Sequence, residues 1–271
     1  MADSHKVGLR RVLVTGASSG IGAATARWLS TRGWDVHASV RKAGEAPEGT
    51  REVVFDVTDA DAVASAARDI GDLDALVNNA GIAIAAPLEF LPPDEVARQL
   101  DVNVVGQLRV TQAFLPVLRR SKGRVVFVGS IGGRSALPFL GAYAASKFAL
   151  EAITDSLRIE LAPFGVHVSI VEPGTIATPM WTKPQRAVES LPPEAAQLYG
   201  ERIDKFRKLA AKRSAGKGVP PEEVAKAIEH ALTASRPKTR YLVGRDAKLR
   251  ARVQRLPDRA RDRLLTRFLF G

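Results

Sequence analysis

The sequence predicts an α/β fold in a single domain, a doubly wound parallel sheet of about seven strands flanked by helices on both faces. Three observations carry this. Short valine-rich runs of strand length alternate along the chain with longer segments whose apolar residues recur at helical spacing. The strand runs are apolar at consecutive positions, as expected of strands buried on both faces. A chain of 271 residues that is 45% hydrophobic can bury a full core.

In chain order, RVLVTG (11–16) is the first strand and leads through a glycine-rich turn into a helix over 23–32. DVHASV (35–40) and EVVFDV (52–57) are the second and third strands, and a helix over 60–70 follows, with Thr58 or Asp59 suited to cap it. DALVNNAG (74–81) is the fourth strand and precedes one long helix over 93–118. GRVVFVGS (123–130) leads to a helix over 142–162, VHVSIVEPG (166–174) to a helix over 221–234, and RYLVG (240–244) completes the sheet. In sheets of this kind ligands bind beyond the carboxyl ends of the strands, where the winding reverses, so polar residues at strand ends are the site candidates.

Composition narrows the function classes. With no cysteine and four scattered histidines, neither disulfides nor a metal centre is expected, and a reducing cytoplasm is the expected location. The longest uncharged run, 12–26, is 15 residues and contains glycines and serines, too short for a bilayer span of about 20 apolar residues. MADSHKVGLRR lacks the apolar core of a secretory signal. The net charge of +11 sits at one end: residues 1–200 carry 20 Lys and Arg against 21 Asp and Glu, and residues 201–271 carry 20 against 8. Without a basic face elsewhere, nucleic-acid binding is not expected.

The first strand ends in TGASSGIG (15–22), which opens a helix near Ile21. Glycines allow a tight turn and close approach of backbone to phosphate, and free amides at a helix start attract a pyrophosphate. Gly16, Ser18, Ser19, Gly20 and Ile21 therefore form a candidate dinucleotide cradle. Farther on, Tyr143 precedes Lys147 by four residues, so in a helix both point from one face. A phenol of ordinary pKa about 10 is a poor acid or base at neutral pH, and a neighbouring ammonium would favour its ionised form. Lys147 is accordingly expected to activate Tyr143. Ser130, at the end of the fifth strand, could hold a substrate oxygen against that phenol, or could simply be a turn former.

The glycines at 16, 20 and 22 resemble the pattern of the short-chain dehydrogenase/reductase family, and further motifs of that family stand in order over roughly 11–180. They are NNAG (78–81), Asn103 in the following helix, Ser130 thirteen residues before Tyr143, the YxxxK of Tyr143 and Lys147, and Pro173-Gly174 leading to Thr178. The chain looks most similar to the steroid- and retinoid-type branch. The resemblance implies a Rossmann sheet, a nicotinamide cofactor, and hydride transfer between that cofactor and a carbonyl or secondary alcohol. It implies a catalytic set of Asn103, Ser130, Tyr143 and Lys147, in which Asn103 holds a water linking the lysine to solvent and also serves a helix kink. It further implies that Asp56, with the Val57 backbone, meets the adenine, that Asn79, Ala80 and Gly81 line the groove, and that Ile176 and Thr178 reach the carboxamide. Homodimers or homotetramers are usual in the family.

Cofactor choice is read at the end of the second strand. An acid there would accept from ribose hydroxyls, whereas a 2′-phosphate calls for arginine. Val40 occupies the acid's position and is followed by Arg41 and Lys42, so NADP(H) is expected over NAD(H). The insertion over 179–219 is long enough to be a substrate lid, and Met180, Trp181, Leu191, Leu198, Tyr199, Phe206 and Leu209 could roof a lipophilic pocket; Trp181 is the expected substrate contact there. Ala136, Leu137, Pro138 and Phe139 would add to it. The basic tail, 245–271, puts Leu249, Val253 and Leu256 on one face and Leu264, Leu265, Phe268 and Leu269 on another. It could pack on its own or a partner subunit, or lie on an anionic membrane. A cofactor-binding regulator without chemistry and an NAD-dependent dehydrogenase of a small alcohol stay open at this point.

Overall fold

The computed structural model describes residues 10–178, 180, 191–216 and 218–271. Seven strands, β1 (Arg10–Val14), β2 (Trp34–Val40), β3 (Arg51–Val54), β4 (Ala75–Asn78), β5 (Arg124–Val128), β6 (His167–Pro173) and β7 (Arg240–Val243), form one sheet in the order β3-β2-β1-β4-β5-β6-β7. Every pairing is parallel. The winding reverses between β1 and β4, which opens the crevice where ligands of such sheets bind.

Side chains alternate across the strands, so β1 feeds two cores. Val12 and Val14 join Leu29 of α1 (Gly20–Ser30) and Ile228 and Leu232 of α7 (Pro221–Thr233) in one layer. Leu13 joins the opposite layer, with Val63 of α2 (Ala60–Ile70), Phe114 and Leu118 of α4 (Gln107–Ser121) and Leu150 of α5 (Gly141–Leu161). Each such buried side chain contributes about 1.5–3 kcal/mol from leaving water.

The helix expected over 93–118 is interrupted. It consists of α3 (Pro93–Leu100), a π-helical turn over Asp101–Gly106, and α4. The wider turn sits where the chain passes closest to the end of β3: a Cβ on Gly106 would stand 2.8 Å from a methyl of Val57 and 3.0 Å from its carbonyl oxygen. The turn also brings Asn103 fully inside. The third strand ends at Val54, earlier than expected, and beyond it Asp56 turns the chain by accepting from the Thr58 amide (2.9 Å) and hydroxyl (2.8 Å). Asp59 is the cap of α2, accepting from the Ala62 amide at 3.0 Å.

Within the insertion, α6 (Pro193–Gly216) lies against the loop before α5. Phe139 is the centre of an edge-to-face cluster with Tyr199 (6.2 Å), Phe206 (5.7 Å) and Phe270 (6.2 Å). Its φ of 66° is unusual for a side chain of this size and costs about 1–3 kcal/mol, which the cluster offsets. Trp181 lies outside the described residues.

The tail forms α8 (Arg245–Val253) and α9 (Asp258–Phe270), and it packs on its own chain differently from the expected faces. Leu249, Leu256, Leu264 and Phe268 are exposed, whereas the residues buried are Ala247 and Leu269. No helix among the described residues is long and apolar enough to cross a membrane.

Candidate active site

Strand ends and following loops surround a cleft of about 720 Å³. Its floor is the turn after β1, where Gly16 and Gly20 take φ of 65° and 58°. Gly22 lets α1 lie directly on this turn, because a Cβ there would meet the Gly16 oxygen at 2.3 Å. Thr15 ties the turn to the end of β4, its hydroxyl accepting from the amides of Asn79 (2.9 Å) and Ala80 (3.0 Å). Asn79 returns the contact, donating to the carbonyls of Thr15 (2.8 Å) and Gly16 (3.2 Å). Unlike α2, α1 has no side-chain cap at Ser19 and no acid in its first turn. An uncapped, acid-free helix start facing a cleft of this size fits a dinucleotide's pyrophosphate.

Gly16, Ser18, Ser19, Gly20, Ile21, Arg41, Asp56, Val57, Asn79, Ala80, Gly81, Pro173, Gly174, Ile176 and Thr178 all line the cleft. Lys42 is exposed and does not stand among the lining residues. Met180, expected over the pocket, lines it too, as do Ser39, Arg98 and Asp101, which belong to none of the motifs.

Ser130, Tyr143 and Lys147 stand at the inner end. Ser130 follows β5 in extended conformation and its hydroxyl accepts from the Gly132 amide at 2.9 Å. Tyr143 is buried and hydrogen-bonded to Ser130. Lys147, 5% exposed, donates from Nζ to the Val128 carbonyl at 2.9 Å, and its Nζ is 5.8 Å from the centre of the Tyr143 ring.

Burial raises the pKa of the Tyr143 phenol, outweighing the Ser130 hydrogen bond and the charge of Arg250, which both lower it. The Lys147 ammonium is itself destabilised by burial, to a pKa of about 8, with partial support from the Glu151 carboxylate. Removing both groups from water thus dominates the attraction that neighbouring charge provides. Arg250, whose charge lowers the pKa of the phenol, comes from α8.

Asn103 does not line the cleft. Its Oδ1 accepts from the Ile82 amide (2.8 Å), and its Nδ2 donates to the Ile82 carbonyl (2.9 Å) and the Ser146 hydroxyl (3.0 Å). Ser146 in turn donates to the Tyr143 carbonyl at 2.7 Å. The side chain therefore joins the loop after β4 to the backbone that carries Tyr143. Gln99 and Gln107, buried and unremarked in the sequence, brace the same loop: Gln99 accepts from the Ile84 amide (3.1 Å) and Gln107 donates to the Ala80 carbonyl (2.7 Å).

One turn beyond Lys147, Glu151 meets the fully buried Glu172 of β6. Arg240 of β7 holds both carboxylates, at 3.0 Å to Glu151 and 3.4 Å to Glu172, and Arg134 bonds Glu172 at 2.7 Å. Burial and the second carboxylate push Glu151 up to about 7.

Ser130, Tyr143 and Gly174 also line a second, smaller cavity. The space bounded by described residues is about 100 Å³ and includes Leu137, Leu140, Phe206, Leu209 and Leu269, with Arg250. The two serine and tyrosine hydroxyls therefore stand where the nucleotide cleft meets a mostly apolar pocket.

Known proteins are similar to this chain. A profile of the short chain dehydrogenase family matches residues 10–189. Human retinol dehydrogenase 16 is 40% identical over 261 residues, 88% of this chain and 81% of its own. Human 17-beta-hydroxysteroid dehydrogenase type 1 is 39% identical over 253 residues, 85% of this chain and 76% of its own. A short chain dehydrogenase from Burkholderia cenocepacia, crystallised with NADP, superposes with a TM-score of 0.76 at 28% identity, covering 98% of this chain and 100% of that one. Other solved neighbours include an NAD complex. The chain is an oxidoreductase of the steroid- and retinoid-type branch, and it belongs to the short-chain dehydrogenase/reductase family.

Proposed function

We propose that the protein is an NADP(H)-dependent oxidoreductase that interconverts a carbonyl and a secondary alcohol on a substrate with a largely apolar body. The observation that carries this is the position of Ser130 and Tyr143, which line both the nucleotide cleft and the adjoining pocket. A nicotinamide held in the cleft lined by Gly16, Gly20, Asn79 and Thr178 would supply or take the hydride. Tyr143, kept neutral by burial, donates a proton to the substrate oxygen during reduction. Ser130 hydrogen-bonds the same oxygen as charge develops on it. Lys147 holds positive charge at the back of the site and, with a pKa near 8, is within reach of proton exchange at neutral pH. Asn103 positions the Tyr143 backbone through Ser146; both ends of its amide are engaged, so a proton path at this position would use its main chain.

The NADP(H) reading is supported by Arg41 at the rim of the cleft, directly after Val40. NADPH is expected to bind more tightly than NADH in a fluorescence titration, and Arg41→Asp is expected to weaken NADPH by about ten- to hundred-fold, as loss of a charged hydrogen bond does. A wild-type preference for NADH would overturn the cofactor assignment. A lid role for the 179–219 insertion is supported by Phe206 and Leu209 in the pocket wall. Exposed Phe148 and Ile159 on α5 support a homo-oligomer joined along that helix.

A further inference from the structure

The charge excess of the chain is concentrated in its two terminal helices, where residues 245–271 carry nine Lys and Arg against three Asp. One side of the tail faces inward. Arg250 of α8 and Leu269 of α9 both stand in the wall of the pocket beside Tyr143, and Ala247 is fully buried. Asp246 accepts from the Thr175 amide at 2.7 Å and so ties α8 to the chain leaving β6. The outward sides of the two helices carry the same order of residues. On α8 the exposed Lys248, Leu249 and Arg252 share a face, and on α9 the exposed Arg263, Leu264 and Arg267 repeat it at the same spacing. Arg255 and Leu256, exposed between the helices, continue the mixture. Leu249, Leu256 and Leu264 are 60%, 42% and 46% exposed, so much of their apolar area is left uncovered by this chain. The acids beside them are already engaged. Arg261 holds Asp258 at 2.9 Å and Asp262 at 3.5 Å, whereas Lys248, Arg252, Arg263 and Arg267 make no ion pair among the described residues.

We propose that the outward faces of α8 and α9 dock the protein on an anionic phospholipid bilayer, with the cations on the headgroups and the leucines in the interface beneath them. One partner satisfies both features. Anionic headgroups attract lysine and arginine, and the boundary of the acyl chains accepts single apolar side chains set among them. A second copy of the chain fits less well, because a two-fold contact would set these cations against themselves. A nucleic acid would neutralise the cations but leave the leucines in water. The same two helices supply Arg250 and Leu269 to the pocket wall, and a helix with its side chains is about 10–12 Å across. Docking therefore brings the pocket within about one helix diameter of the bilayer, where an apolar substrate would be dissolved.

Flotation of the full chain with lipid vesicles tests this. Vesicles of phosphatidylcholine with about one-third phosphatidylserine are expected to carry the protein at about 0.1 M salt, and vesicles of phosphatidylcholine alone are not. Raising the salt to about 1 M, where charge acts over only about 3 Å, is expected to release it. A cation at an anionic surface contributes about fivefold in affinity, so Arg252→Gln, Arg263→Gln and Arg267→Gln together are expected to lower the partition coefficient about a hundredfold. Leu249→Ser with Leu264→Ser is expected to lower it about tenfold. All five side chains are exposed, and a thermal midpoint close to that of the wild type checks that each variant is folded. Binding to neither vesicle, or equally to both, overturns the proposal without need of any variant, and so does anionic binding that survives the triple replacement. Absence of vesicle binding together with a smaller oligomer in the triple variant would assign these faces to contact between copies and overturn it as well. Lipid binding is read without turnover, so it stands or falls apart from the oxidoreductase reading.

Discussion

Replacing Tyr143 by phenylalanine is expected to lower kcat by about 10²- to 10⁴-fold, the range typical of a lost general acid. The substitution keeps the ring, which is only 8% exposed, and removes the hydroxyl bonded to Ser130. Cofactor affinity should change little, because the remaining lining of the cleft is untouched. The rate loss should therefore appear in kcat, with the NADPH dissociation constant within about tenfold of wild type, since one neutral contact carries about 0.5–1.5 kcal/mol at most. Steady-state kinetics on any turned-over ketone, run beside NADPH titration, decides it. Retention of more than about a tenth of wild-type kcat would remove Tyr143 from the role of proton donor.

Arg240→Leu is expected to destabilise the fold by about 3–5 kcal/mol at pH 7.5, the usual effect of leaving buried charge without its partner. Arg240 lies between Glu151, Asp155 and Glu172, and Glu172 has no exposure at all. The pH dependence has a definite sign. Glu151 is raised from 4.5 to about 7 in the folded protein, so its carboxyl contributes stability below pH 4.5 that is lost as pH rises toward 7. Arg240 is one of the influences holding Glu151 down, so its removal raises that carboxyl further and enlarges the loss at neutral pH. The difference between variant and wild type should consequently shrink as the pH falls from 7.5 toward 4.5. Urea unfolding at both ends of that range measures it, and a difference that stays constant with pH would show that the carboxylates are not its origin.

Much of the fold was legible because its signals are local. The run over 60–70 begins and ends where α2 does, since Asp59 caps the first turn and the apolar residues repeat every third or fourth position. Strand boundaries moved by up to three residues, most at the ends of β3 and β4; beyond β3 the Asp56 side chain turns the chain through Thr58. A kink at Asn103 was implied by the resemblance, but its form, a π turn over Asp101–Gly106, was not legible, because the turn meets Val57 and Ile82, which lie far away in the chain. The tail gave a misleading pattern. Its leucines repeat at helical spacing, yet α8 and α9 rest on Ala247, Arg250 and Leu269, and the pocket they complete was not foreseen.

By itself the sequence determined the alternation of strands and helices, the glycine turn that opens α1, and the order of Ser130, Tyr143 and Lys147, because each is encoded in the identity and spacing of a few consecutive residues. Only the tertiary structure decided that burial is the largest influence on the phenol and that Arg250 stands near it. Those depend on how much water is removed from Tyr143 and on Arg250 arriving from the far end of the chain, and desolvation and long-range approach are properties of the packed molecule that no local spacing contains.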